Sequence, residues 1–283
     1  MGVKVITDST SYIPRPLRAS LDIGVVSLSS EMDGVSYADD AEDYTPFYTA
    51  LGASGAFPTT SQPSVQSMVD LMEERVSAGH AVVGVFISEL MSGTYSTAIL
   101  ARGMVQERHP DAVIEVVDSR SNCMELGFAA LAAARTAAEG GSVEQVVEAA
   151  NEMTGRTRFL FTPPTLEYLR RGGRIGNASA LLGSLLQIRP ILTVVDGVIE
   201  PLEKVLGGQR ALARLVQLVD EGLDRGHRAA LGIIHADAEE QALRVKEALE
   251  KLFKFDEVII AETGPAIAAN VGPGAYGVMV YQY

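Results

Sequence analysis

Two hydroxyl-rich segments carry the residues best suited to chemistry. In Thr59-Thr60-Ser61-Gln62-Pro63-Ser64, hydroxyls stand in front of a segment with helical periodicity. Hydroxyls in that place either cap the helix or donate to an anion at its N-terminus, where free backbone N–H groups add attraction. The second segment, Ser88-Glu89-Leu90-Met91-Ser92-Gly93-Thr94-Tyr95-Ser96, follows the apolar run Ala81–Ile87 and leads into a helix carrying Tyr95, Ile99 and Val105. A strand, a loop and a helix in this order is where α/β proteins bind anionic ligands. Gly93 lets the backbone approach closely, and Ser92 and Thr94 supply hydroxyl donors. Two such helix starts in one chain are more specific than either alone. The competing reading makes Ser92 a nucleophile. That needs a neighbouring base, yet the segment holds no histidine and the chain has no G-x-S-x-G elbow.

Other segments are less decisive. Leu169-Arg170-Arg171-Gly172-Gly173-Arg174-Ile175-Gly176 sets three arginines around a glycine turn in an acidic chain. It reads either as an anion or partner site or as a solvated turn with internal ion pairs. Gly272-Pro273-Gly274-Ala275-Tyr276-Gly277 matches G-x-G-x-x-G, but the apolar run Val278–Tyr281 follows where a dinucleotide fingerprint needs a helix. There is no P-loop motif. His80, His109, His227 and His235 show no i, i+4 pairing, and with a single cysteine a zinc site has little support. Asp8, in Thr7-Asp8-Ser9-Thr10, either holds a neighbouring loop or binds a metal; the loop role is favoured.

The elements that must position these residues follow from periodicity. Val3–Ile6, Ile23–Leu28, Ala81–Ile87, Val113–Val117 and Thr157–Phe161 read as strands, as do Ile191–Val195, Ala229–Ile234, Val258–Ala261 and Gly277–Tyr281. Helical stripes recur between them. Val65, Met68, Val69, Met72 and Val76 share one face, as do Leu212, Leu215, Val216, Val219 and Leu223, and Ala242, Val245, Leu249, Leu252 and Phe253. Residues 124–139 and 142–153 are Ala-rich and helical, and 30–46 reads as an acidic surface loop. The expected fold is α/β in two domains: a parallel-sheet domain over 1–160 and a mixed-sheet α/β domain over 161–283.

The 283 residues suffice for two such domains. A net charge of -13 argues against nucleic-acid and anionic-lipid surfaces. The one cysteine, Cys123, fits a reducing cytoplasm. The N-terminus reads as a strand rather than a signal peptide, and no apolar stretch is long enough to span a bilayer.

Taken in order, Thr7-Asp8-Ser9-Thr10, Thr60-Ser61-Gln62-Pro63-Ser64, Ser92-Gly93-Thr94-Tyr95, Leu169 to Ile175 and Gly272-Pro273-Gly274-Ala275 resemble the DegV family along essentially the whole chain. The resemblance implies a two-domain α/β protein with one long-chain fatty acid, such as palmitate or oleate, buried between the domains. It implies no enzymatic activity, no metal and no cofactor. Such proteins resemble the binding subunit of bacterial fatty acid kinase, which presents the acyl carboxylate to a separate ATP-dependent subunit. It further implies that Thr60 and Ser92 hydrogen-bond the carboxylate. Ser61, Gly93, Thr94, Arg174 and Asn270 then form the surrounding ligand-site or partner-facing set. The family often has histidine two residues before G-P-G. Asn270 stands there and can donate a hydrogen bond but cannot carry charge.

A lipid reading is physically reasonable. A chain of about 15 methylenes gains on the order of 12 kcal/mol on burial, before ordering costs. The apolar segment Ala178, Ala180, Leu181, Leu182, Leu185, Leu186 and Ile188 lines a tunnel or forms plain core; sequence does not separate the two. Two alternatives stay open: an acyl hydrolase or transferase using Ser92, and a regulatory protein whose lipid only stabilises the fold.

Overall fold

The computed structural model describes residues 2–183 and 188–283. The chain starts with β1 (Val3–Asp8), α1 (Arg15–Ser20), β2 (Gly24–Val26), β3 (Ser29–Met32), β4 (Val35–Ala38), α2 (Thr45–Ala53), β5 (Thr59–Ser61) and α3 (Val65–Ser77). It continues through β6 (Ala81–Phe86), α4 (Thr94–Arg108), β7 (Ile114–Asp118), α5 (Cys123–Ala138), α6 (Val143–Arg156), β8 (Arg158–Thr162) and α7 (Glu167–Gly172). The remainder forms β9 (Ile188–Val195), β10 (Val198–Leu206), α8 (Gly208–Gly222), β11 (Ala229–Ala236), α9 (Glu239–Glu250), β12 (Phe255–Glu262), α10 (Pro265–Val271) and β13 (Ala275–Gln282).

These elements make an α/β fold with a parallel sheet in the N-terminal part and a mixed sheet in the C-terminal part. The parallel sheet has the order β2-β1-β6-β7. Every residue of β6 is buried, as expected for a strand covered on both faces. Ile6, Val82 and Phe86 pack against Met68, Met72 and Ala101 of α3 and α4. Val5, Val83 and Val85 face the other way, into a core shared with α5 and α6.

The mixed sheet has the order β10-β9-β8-β13-β11-β12, in which only β11 and β12 run parallel. Its outer face is covered by the amphipathic α8 and α9, whose Leu215, Val219, Val245 and Leu249 pack on Leu231, Ile233 and Val278. Its inner face turns toward the parallel sheet, and α5 lies between the two. That helix is buried almost all round. Its small residues permit close approach: a Cβ on Gly127 would come within 2.5 Å of the Ser11 carbonyl, and one on Gly232 of β11 within 2.9 Å of Met124 Cβ. Arg135 Nη2 donates to both carboxylate oxygens of Glu257, at 2.8 and 3.1 Å, and fixes the far end of α5 to β12.

A third sheet, β4-β3-β5, is antiparallel and small. Residues 30–46, expected as a loop, thus contain most of β3, all of β4 and the start of α2. Asp33 and Gly34 supply the two positive-φ positions (52° and 77°) that a tight hairpin requires. With α2 this sheet packs on the mixed-sheet side, where Met32, Phe47 and Leu51 meet Ala236, Ala268 and Ala275. Tyr48 donates to the Thr263 carbonyl at 2.7 Å. β8, which lies at the approximate domain boundary expected near residue 160, pairs wholly within the mixed sheet. Among the described residues no helix is long and apolar enough to cross a membrane.

Candidate functional site

In the parallel sheet the chain leaves β1 for β2 on one side and later returns through β6 on the other. Loops after β1 and β6 therefore diverge, and a crevice opens at their carboxyl ends. Asp8 closes the base of that crevice. Its Oδ2 accepts the Ile87 N–H at 2.8 Å, and its Oδ1 accepts the Thr10 N–H and hydroxyl at 2.9 and 2.5 Å. Burial pushes the Asp8 carboxyl up to about 6, although these bonds pull it back. Asp8 thus holds loops, as expected. No group of His, Cys, Asp and Glu able to hold a metal occurs among the described residues.

Above the crevice lies a cavity with about 910 Å³ of space between protein atoms, solvent at its mouth included. Its apolar wall comes chiefly from the mixed sheet and α10: Phe159, Phe161, Ile199, Ile234 and Ile267. The rings of Phe159 and Phe161, two residues apart on one strand face, lie 5.2 Å apart. The described residues of the apolar segment considered as a tunnel wall do not line this cavity. Ala178 and Leu181 are core, Ala180 and Leu182 are exposed, and Ile188 is not in the lining. Leu185 and Leu186 lie outside the described residues.

Thr60, Ser61, Ser92, Gly93, Arg174 and Asn270 all line this one cavity. Thr60 comes from the short strand β5, and its hydroxyl has no hydrogen-bond partner among the described residues. The capping role open to this segment belongs to Ser64, whose Oγ accepts the Ser67 N–H at 3.0 Å and starts α3. Ser92 ends the loop that enters α4. Its hydroxyl exchanges a 2.9 Å bond with that of Thr94 and accepts the Thr94 N–H at 3.3 Å. Neither partner is a base, and no general base is hydrogen-bonded to Ser92 among the described residues. Thr94 is fully buried and is not part of the cavity lining; it stands behind Ser92 and orients it.

Ser88 shapes the loop. Its carbonyl accepts the N–H groups of Met91 and Ser92, both at 3.0 Å. Its hydroxyl donates to the Gly197 carbonyl at the tip of the β9–β10 hairpin, at 3.1 Å. Arg174 holds the same loop from another side, donating Nε to the Met91 carbonyl at 3.0 Å. The arginine turn therefore divides. Arg170 and Arg171 pair with Glu167 on α7, and Arg174 joins the cavity. Asn270 donates to the Ala266 carbonyl one turn back in α10, at 2.9 Å. His235 is satisfied locally: its Nδ1 accepts the Ala238 N–H at 3.4 Å, and burial pulls its pKa down.

Sequence reasoning passed over Gln62 and Asn122. Gln62 lines the mouth and donates to Thr97 Oγ1 at 2.7 Å. Asn122 lines the cavity from the N-cap of α5. A signal for Gln62 existed, since it lies inside the hydroxyl motif. Asn122 follows Ser119-Arg120-Ser121 after an ordinary strand, and nothing in its spacing marks it.

The arrangement offers hydroxyl, amide and guanidinium donors at a mouth and a largely apolar wall behind them. This suits a ligand with one anionic end and a long hydrocarbon body. Comparison with known proteins agrees with the architecture. A model of the family described as uncharacterised protein, DegV family, matches residues 2–283. A DegV domain-containing protein of Clostridium acetobutylicum is 45% identical over 281 residues, 99% of this chain and 98% of that protein. A Thermus thermophilus structure described as showing fatty acid binding of a DegV family protein superposes with a TM-score of 0.91 at 31% identity, covering 100% of both chains. A stearic acid-binding protein from Eubacterium ventriosum superposes with a TM-score of 0.90 at 26% identity, covering 99% of this chain and 98% of that one. The chain belongs to the DegV family.

Proposed function

We propose that this protein binds one long-chain fatty acid in the cavity, with the carboxylate held by the hydroxyls of Thr60 and Ser92, and presents it to a separate kinase subunit. The observation that carries this reading is the placement of Thr60, with its uncommitted hydroxyl, and Ser92 on one cavity whose deeper wall is aromatic and aliphatic. A carboxylate there takes two hydroxyl donors and faces the first turn of α4, whose leading N–H groups lack intrahelical partners. Its charge is then not left bare in a partly buried site. The relatives described as binding fatty acids support the ligand class.

Presentation is supported by the mouth. Ser61, Gln62 and Arg174 are exposed and line the cavity at the hydroxyl end. The carboxylate is therefore the end nearest solvent. In the transfer, a carboxylate oxygen bonds to the γ-phosphorus of ATP on the partner, the β–γ bridging bond breaks, and ADP leaves. This chain contributes binding and orientation, and the kinase supplies the chemistry.

The test is extraction of the protein under denaturing conditions followed by mass spectrometry. Fatty acid near one per chain is expected, with occupancy greatly reduced in Thr60→Ala/Ser92→Ala. Full occupancy in the double variant refutes the carboxylate assignment. Absence of acyl phosphate with every cognate kinase candidate and ATP refutes presentation and leaves a lipid-stabilised regulatory protein.

A further inference from the structure

Thr60 and Ser92 sit on elements joined only loosely at the mouth. β5 has three residues, lies at a sheet edge and pairs with β3 alone. Pro63 follows, with no N–H to donate. The side chain of Gln62 makes the bridge from this segment to α4. Its Nε2 donates to Thr97 Oγ1 at 2.7 Å, and Thr97, nearly fully buried, is fixed in turn by its own N–H bond to the Gly93 carbonyl at 2.9 Å. The Gln62 amide lies directly on Gly93: a Cβ there would sit 1.9 Å from Gln62 Oε1 and 2.7 Å from its Cδ. Glycine at 93 therefore makes room for the side chain of residue 62.

We infer that Gln62 is a positioning residue that latches the Thr60 segment to the start of α4 across the mouth, and so slows escape of the fatty acid. The inference rests on the reading that Thr60 and Ser92 hold the carboxylate. The chemistry suits the place. An amide reaches Thr97 through two methylenes and donates without bringing charge. A glutamate would set a second anion beside the carboxylate, and a shorter asparagine would fall short. Ligand exit requires Gln62 to swing off Gly93, because the amide lies over the gap between the two hydroxyls' elements.

The experiment loads the full chain with radiolabelled palmitate and follows its transfer to phosphatidylcholine vesicles. One hydrogen bond of ordinary worth predicts exit about five- to tenfold faster in Gln62→Ala. Thr97→Val, which removes the same bond from the other side, is expected to match it, and the double variant to be no faster than either. Gly93→Ala displaces the amide and is expected to speed exit in the wild-type background, with no further effect in Gln62→Ala. Wild-type exit rates in both Gln62→Ala and Thr97→Val overturn the latch, as do additive effects. Hexadecanol, which has the same chain without the carboxylate, tests the underlying reading separately. If wild-type protein loses palmitate as fast as hexadecanol, the carboxylate assignment fails. If palmitate is retained and the variants do not differ, the latch alone fails.

Discussion

Asp39 Oδ1 accepts the backbone N–H of Ala266 at 2.7 Å, joining positions 227 residues apart. Asp39 directly follows β4 in the small sheet, and Ala266 lies in the first turn of α10, the helix that carries Ile267 and Asn270 into the cavity. A carboxylate from one part of the chain therefore caps the helix that walls the ligand site in another. The packing is tight, with no space for a side chain at the intervening residue: a Cβ on Gly264 would meet Asp39 Oδ1 at 2.4 Å. Replacing Asp39 by Ala removes the cap and leaves the buried Ala266 N–H unpaired, with an expected loss of about 1–3 kcal/mol. Asp39→Asn keeps an acceptor and is expected to lose less. Urea denaturation of the two variants separates these outcomes.

The same carboxylate makes stability depend on pH in an unusual direction. Burial pushes Asp39 up to about 7, with the nearby Asp8 charge adding to the rise and bonds from Ser9, Ala266 and Tyr12 opposing it. Burial likewise lifts Glu125 to about 8, against a bond from Ser121. Both groups bind protons more tightly folded than unfolded. Their contribution is fully present below their unfolded values and is lost as pH rises through about 7 and 8. Each pK unit corresponds to about 1.4 kcal/mol. The melting temperature is expected to fall as pH rises from roughly 4 to roughly 8 and to level off above that. Asp39→Asn and Glu125→Gln are each expected to flatten that slope. A flat profile in the wild-type protein contradicts both assignments.

The loop that delivers Ser92 is predicted to depend on the opposite sheet. Ser88 Oγ is shared between the Gly197 carbonyl and the Leu90 N–H, the latter at 3.2 Å. Ser88→Ala is expected to cost about 1 kcal/mol. Gly197→Ala is expected to cost more, because φ is +82° and its Cβ would lie 2.5 Å from Ser88 Oγ. In both, amide hydrogen exchange at Met91 and Ser92 is expected to accelerate selectively. Uniform acceleration across β6 would instead indicate general destabilisation.

The elements above differ in how legible they were from sequence, for physical reasons. The long stripes of α3, α8 and α9 and the apolar run of β6 repeat their signal over many residues. By contrast, β3 offers a single large apolar residue, Met32, within Ser-Ser-Glu-Met, so alternation cannot accumulate. Its one strong local signal is Asp33-Gly34, a tight-hairpin pair, and the β9–β10 turn repeats it with Asp196-Gly197 at φ 47° and 82°. Pro201 and charged residues interrupt the alternation in β10 and hide it from sequence; as an edge strand with a register shift beside Pro201, it tolerates both. At the site, the hydroxyl segments were visible because they precede helices. Their convergence on one cavity, and the division of the arginine turn between Glu167 and Met91, depend on tertiary contacts that no local spacing encodes.

That division yields a contrast within three neighbouring arginines. Arg170 and Arg171 make exposed pairs with Glu167 at 2.7 and 2.5 Å. Exposed pairs of this kind are worth about 0–1 kcal/mol, so Arg170→Ala is expected to leave fatty-acid retention unchanged. Arg174→Ala removes the bond to Met91 O and frees the loop next to Ser92. Faster palmitate loss is expected for Arg174→Ala alone, and equal effects at 170 and 174 would mean that net charge, not the tether, governs retention.

The cavity and the close-packed core make opposite demands on side-chain volume. Ile267 lines the cavity, whereas Val83 is fully buried in the shared core and away from the lining. Overpacking a filled core costs about 1–3 kcal/mol because neighbours must leave their rotamers, so Val83→Phe is expected to lower stability by that amount. The ring of Ile267→Phe has space to enter. Stability of the lipid-free protein is expected to change by less than about 1 kcal/mol, while the longest fatty acid retained becomes shorter. A large stability loss at 267 with unchanged chain-length preference would mean that this side chain fills core and does not border the acyl chain.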